Sequence, residues 1–228
     1  MSNTSTGIAK ESQNQIQFDT YREKGGVVLG PYTSHIWRAD PRHMCFLFSR
    51  YKFVAKMLQG KGRVLEVGCG DSVGTPIVLQ TVKSIHGVDF EPMVINDAIA
   101  RNDYPDRCTY EVRDMTKNPF KKEFDAAFAL DVIEHIPPTE EATFIDNIAS
   151  ALKSDGIAIL GTPNITAFQY SSELSRIGHI NLKGDDTIRE TLARRFANVF
   201  VFSMNDEVVH TGYAPMAHYI IGVGVGLK

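Results

Sequence analysis

Arg63-Val64-Leu65-Glu66-Val67-Gly68-Cys69-Gly70-Asp71-Ser72-Val73-Gly74 is the stretch on which the fold turns. Its first half is a short, mostly apolar, β-branched run of the kind that fills a strand buried on both faces, and its second half is a glycine-rich turn. Gly68, Gly70 and Gly74 tolerate positive φ and leave no Cβ in the way, so a ligand can lie against the backbone where the strand stops. Ser84-Ile85-His86-Gly87-Val88-Asp89-Phe90 reads as a second short strand ending in an acid. The separation of Gly68 from Asp89 is close to the spacing of about 20 residues at which an acidic side chain meets a ribose hydroxyl. Two adjacent strands are therefore predicted to share one nucleoside-bearing ligand.

The loop also says what that ligand is not. In G-x-G-x-x-G loops a pyrophosphate sits on the helix N-terminus, whereas here the third glycine comes one residue later and Asp71 follows the second, where it would repel a diphosphate. Further out, Asp40-Pro41 reads as an N-cap followed by proline at the first helical position. Met44, Leu47, Phe48, Tyr51, Val54 and Leu58 then recur at spacings of three and four, a core-facing stripe that stops at Gly60. Helices are predicted over 75–82, 92–101 and 139–153, and strands over 108–112, 124–130 and 157–161, with Gly156 as a helix stop. Strands alternating with helices call for an α/β fold: a Rossmann-like three-layer sandwich around a parallel sheet.

This arrangement resembles the class I S-adenosylmethionine (SAM) methyltransferases, whose signature of an acid, one residue and G-x-G is matched by Glu66, Gly68 and Gly70. The resemblance continues through Asp89, through Asp114-Met115 after the third strand, through Phe124-Asp125-Ala126-Ala127-Phe128-Ala129-Leu130-Asp131-Val132-Ile133-Glu134-His135, and through Leu152-Lys153-Ser154-Asp155-Gly156. It covers about residues 60 to 225 and is similar to ubiquinone-pathway O-methyltransferases and to type 11 and 12 methyltransferase domains. It implies a seven-stranded sheet whose last two strands, about 199–203 and 218–225, form an antiparallel hairpin. It also implies SAM as cofactor and S-adenosylhomocysteine (SAH) as product. The cofactor would be bound by Glu66, Gly68, Cys69, Gly70, Asp89, Phe90 and Asp131, with Asp114 on the adenine amino group and the Met115 amide beside it.

Methyl transfer from a sulfonium is an in-line displacement in which alignment supplies much of the rate, and an alcohol or phenol acceptor also needs a base or a metal. Open α/β sheets bind at the carboxyl ends of their strands, which makes His135 and His179 the candidate catalytic groups. Asp131-x-x-Glu134-His135 is similar to the metal-binding cluster of ubiquinone-pathway O-methyltransferases and of small-RNA 2′-O-methyltransferases. The resemblance thus offers Asp131, Glu134, His135 and His179 as the set that could hold a divalent metal, but no metal is expected, since aspartate stands where those families place glutamate and Glu-His also opens a helix in relatives without metal. The irregular, aromatic segment from Gly25 to Asp40 reads as a flap over the substrate, and Tyr32, Trp37, Tyr170, His210 and Tyr213 are the expected substrate contacts. An arm packing Trp37 on the sheet is the alternative.

Composition bounds the rest. At 228 residues the chain fits one domain, with 43% hydrophobic and 22% charged residues and a net charge of −3 that gives no general pull toward nucleic acid or an anionic membrane. Cys45, Cys69 and Cys108 suit reduced thiols in a cytoplasmic protein, and Cys69 reads as a small buried residue. No apolar run approaches a membrane span. The divisions expected are a disordered tail over 1–17, a flap and helix over 18–59 and a SAM-binding domain over 60–228. The function expected is methylation of a small molecule at oxygen, with no nucleic-acid or membrane partner and a homodimer left open. An RNA 2′-O-methyltransferase, or a non-catalytic SAM- or NAD-binding protein, is the alternative.

Overall fold

The computed structural model describes residues 8–228. Eight strands form one sheet: β1 (Arg63–Val67), β2 (Ser84–Asp89), β3 (Cys108–Val112), β4 (Phe124–Leu130), β5 (Leu152–Pro163), β6 (Phe196–Asn205), β7 (Val208–His210) and β8 (Tyr219–Leu227). Their order is β3-β2-β1-β4-β5-β8-β6-β7. The first five run parallel, β8 is antiparallel to both β5 and β6, and β7 pairs antiparallel with β6. The α/β class and the terminal hairpin stand. The count is eight rather than seven because Asp206, at φ +47, turns the chain so that three residues of the connection between the last two expected strands rejoin the edge of the sheet.

Alternation along β1 builds two cores. Leu65 and Val67 face a cluster with Phe144, Ile145 and Ile148 of α6 (Glu141–Ala151) and Ile188 and Leu192 of α8 (Asp185–Ala193). Val64 faces the opposite cluster, with Tyr51, Val54 and Leu58 from α3 (His43–Met57) and its end and Val78 and Leu79 of α4 (Thr75–Leu79). Period-two alternation on a strand covered from both sides demands two separate apolar layers. The helix α5 (Pro92–Ala100) packs beside β2 and β3.

Three local expectations shift. Residues 1–7 of the expected tail lie outside the described residues, while Ser12–Asn14 form a short 3₁₀ turn leading into α1 (Gln15–Lys24). The expected irregular flap is helical over α2 (Pro31–Ala39), with Pro31 at its first position where a missing N–H costs nothing, and α3 begins at His43 rather than Pro41. Gly156 lies inside β5, where the register against β4 jumps between Phe124 and Ala126, so Lys153-Ser154-Asp155-Gly156 is a bulge and not a helix stop.

Candidate active site

The site opens at the carboxyl ends of β1, β2, β4 and β5. Gly68 and Gly70 take φ +70 and +51, and Asp89 reaches over the same loop: its Oδ2 accepts from the Gly70 N–H at 3.0 Å while Oδ1 accepts from the Glu91 N–H at 2.9 Å. Loop and acid are thus brought together as the spacing predicts. Phe90, just beyond, is 73% exposed and offers an open ring face. Asp114 leaves the end of β3 accepting from Thr116 and Lys117, the latter at 2.6 Å; burial works to raise its carboxyl, and these bonds outweigh it and hold it below the ordinary value. The Met115 side chain is buried in the α6-side core. The Cys69 thiol is buried and pushed well above its usual range, first by burial and then by the charges of Glu66 and Asp89, so it is not a reactive nucleophile. Gly74 differs from the other two glycines: its φ is negative, and its missing Cβ makes room for the Tyr51 ring.

Three expected ligand contacts, Glu66, Asp131 and His210, have partners within the chain itself. Glu66 is 1% exposed, and both oxygens are taken by Tyr51 Oη (2.9 Å) and Thr75 Oγ1 (2.6 Å), so it ties α3 and α4 to β1 instead of facing a ligand. Burial pushes its carboxyl up to about 7, against the pull of those two hydrogen bonds. The carboxylate of Asp131 is held by Arg50 through Nη1 at 2.7 and 2.9 Å, because Asp131 adopts φ +58 at the end of β4 and turns toward α3. His210 spends both ring nitrogens inside the β6–β7 hairpin, Nδ1 accepting from the Gly212 N–H and Nε2 donating to Asn205. Tyr32 lies across Gly70, its ring 3.2 Å from where a Gly70 Cβ would stand. Trp37, Tyr170 and Tyr213 are 58%, 83% and 73% exposed, with no partner that fixes them to the site.

Beyond Asp131, a 3₁₀ turn at Ile133–His135 and the loop after the short helix α7 (Glu173–Gly178) meet. The Glu134 carbonyl accepts from the N–H groups of Ile180 and Asn181, at 2.8 and 3.0 Å, which brings His179 against His135 with ring centroids 5.0 Å apart. One ligand atom each from Glu134, His135 and His179 lies within 4.8 Å of the others. Glu134 is fully buried, with Oε2 accepting from Thr162 at 3.0 Å and Oε1 without a partner; the Nδ1 of His179 is also buried and unpartnered. His135 donates Nδ1–H to the Gly178 carbonyl at 3.0 Å, which leaves Nε2 with a free lone pair. Burial, then the Asp131 charge, raise Glu134 to about 8, and burial, then His135, lower His179. An unpaired carboxylate oxygen and an unpaired ring nitrogen side by side can share a cation or a proton donor between them. Three of the four residues that the resemblance offers to a metal therefore converge, and Asp131 does not join them.

The sequence reading missed Arg50. Its side chain is 6% exposed and its guanidinium stacks on the Tyr219 ring at 3.8 Å. The signal was an arginine flanked by Leu47, Val54 and Phe46 at helical spacing, a charge on the core face of α3 that needs a buried partner.

Residues 64–156 match the family described as a methyltransferase domain. That match runs from β1 into β5, and over this stretch the chain is similar to SAM-dependent methyltransferases. A probable SAM-dependent methyltransferase of Mycolicibacterium smegmatis is 27% identical over 127 residues, which take in 54% of this chain and 48% of that protein; the alignment thus spans less than half of the relative. The fold is shared with a putative methyltransferase of Haloferax volcanii, solved with the Trm112 activator (TM-score 0.67, 17% identity, 88% of this chain and 100% of that one). It is likewise shared with the N-methyltransferase NodS of Bradyrhizobium japonicum in complex with SAH (TM-score 0.62, 17% identity, 83% and 91%).

Proposed function

We propose that the protein transfers the methyl group of SAM to a hydroxyl oxygen of a small molecule, with Glu134, His135 and His179 facing the acceptor. The observation that carries this reading is the trio itself: three lone-pair donors, two of them buried and unpartnered, beside the carboxyl ends of β4 and β5. An amine acceptor needs only its own lone pair, whereas a hydroxyl must shed a proton as its oxygen attacks. In the step proposed, the acceptor oxygen forms a bond to the methyl carbon as the carbon–sulfur bond breaks, SAH departs as a neutral thioether, and the hydroxyl proton passes to His179.

The same trio fits a divalent cation, since every member offers a lone pair with no competing bond and His135 is oriented by the Gly178 carbonyl. Such an ion supplies Lewis acidity that lowers the pKa of a coordinated hydroxyl. Glu134, His135 and His179 would hold it; Asp131, committed to Arg50, would not.

Incubation of the protein with methyl-labelled SAM and a fractionated cell extract tests the reading. Label in an alkali-stable ether of the small-molecule fraction is expected. Label confined to RNA would support the second reading, a 2′-O-methyltransferase, which the likeness of this trio to the small-RNA enzymes favours. Binding of SAH without transfer to any fraction would point to a non-catalytic protein.

A further inference from the structure

Asp71, read from the sequence as the acid that turns a diphosphate away, has a second occupation. Its Oδ2 accepts from both the N–H and the Oγ1 of Thr33, at 2.8 and 2.9 Å, and both residues are buried. Arg101, ion-paired with Asp97, grips the same turn from the other side: it donates to the Asp71 carbonyl at 2.8 Å and to the Val28 carbonyl at 3.2 Å. Gly30 is pressed so closely on Asp71 and Arg101 that a Cβ would collide with both. These bonds join segments far apart in sequence, and they seat the first turn of α2 on the glycine loop.

The seating positions Tyr32. Its ring passes 3.2 Å from where a Gly70 Cβ would stand, and Asp89, Glu91 and Asp71 all lie close enough for their charges to raise its phenol, after burial has done so. Half of the residue is still open, at 51% exposure, so the ring forms a wall of the cleft and not a piece of core. An aromatic face among three carboxylates suits a ligand that carries a positive charge and hydroxyl groups, as SAM does.

We propose that α2 is a latch on the cofactor, in which Asp71 clamps Thr33 so that Tyr32 closes the cleft over Gly70 and Asp89 and slows the departure of SAM and SAH. Thr33 and Asp71 are then positioning residues, and Tyr32 contacts the cofactor rather than the acceptor. The inference rests on the SAM-dependent class but is independent of which acceptor is methylated.

The molecule carries its own reporter, because Trp37 is the only tryptophan and sits on α2. SAH added to the full chain in a stopped-flow fluorimeter is expected to change Trp37 emission. Asp71→Asn and Thr33→Val should each speed SAH dissociation by about fivefold or more, since one or both clamp bonds are lost. Thr33→Ser keeps both bonds and should dissociate SAH at the wild-type rate, a rescue that a general loss of stability would not reproduce. Tyr32→Leu, which leaves the clamp intact, should speed dissociation as well and keeps the test alive if Asp71→Asn fails to fold. SAH binding by calorimetry with unchanged Trp37 emission, or with wild-type dissociation in Thr33→Val and Tyr32→Leu, would overturn the latch and leave the class standing. Failure of the wild type to bind SAH at all would remove both.

Discussion

Two buried glutamates at the ends of neighbouring strands divide this molecule. Glu66 on β1 and Glu134 after β4 are both almost fully buried, and burial raises the carboxyl pKa of each. Yet Glu66 has a hydroxyl donor on each oxygen, whereas Glu134 has one donor, one bare oxygen and two histidines beside it. Glu66, enclosed by its two donors, is a strut, whereas the bare oxygen of Glu134 stands in the place where we propose that the acceptor binds. Burial and a raised pKa by themselves do not distinguish the two.

Breaking the open member should have the largest effect. Glu134→Gln is expected to lower methyl transfer by about 100-fold or more, as loss of a base or metal ligand does, while the melting temperature changes little because the bare oxygen had no bond to lose. Steady-state transfer and calorimetric melting of the same preparation check this. Large destabilisation with transfer retained would reverse the roles assigned here.

Breaking the closed member should do the opposite. Glu66→Ala leaves two buried hydroxyls and a small cavity, at a cost of about 2–4 kcal/mol in denaturant unfolding, with SAH affinity in the surviving folded fraction close to wild type.

A third contrast is read in pH. Glu66 sits at about 7 in the folded chain against an ordinary 4.5, so its favourable contribution is complete below pH 4.5 and is lost as pH climbs through 7. Without a cation, Glu134 extends that loss toward pH 8. Stability is therefore expected to fall between pH 5 and 8, by no more than about 1.4 kcal/mol per pH unit for each group. Glu66→Gln, neutral throughout, should flatten the lower part of the curve in urea titrations.

Manganese or cobalt at millimolar concentration should raise the melting temperature of the wild type by a few degrees and leave Glu134→Gln and His179→Ala unmoved; equal shifts in all three would remove the cation from the site. The smallest effect is expected at His210. Its ring nitrogens serve only the hairpin, so His210→Gln should change transfer by less than about twofold.

The residues 63–74 and 84–89, read alone, determined the strand, the loop and the acid, because short-range signals carry them: β-branched runs, glycines at fixed offsets and a strand-end carboxylate. The order of helices and strands determined the parallel sheet for the same reason. Only the tertiary structure decided that Asp131 belongs to Arg50 and that Glu66 is a strut. The resemblance had grouped His179 with His135, 44 residues apart, but only the tertiary structure left Asp131 out of that group and bonded Asp71 to Thr33 of α2. Each of these depends on which side chains meet across a packed interface. Local pattern fixes where a carboxylate stands on its own element, but the partner that satisfies it arrives from a distant one.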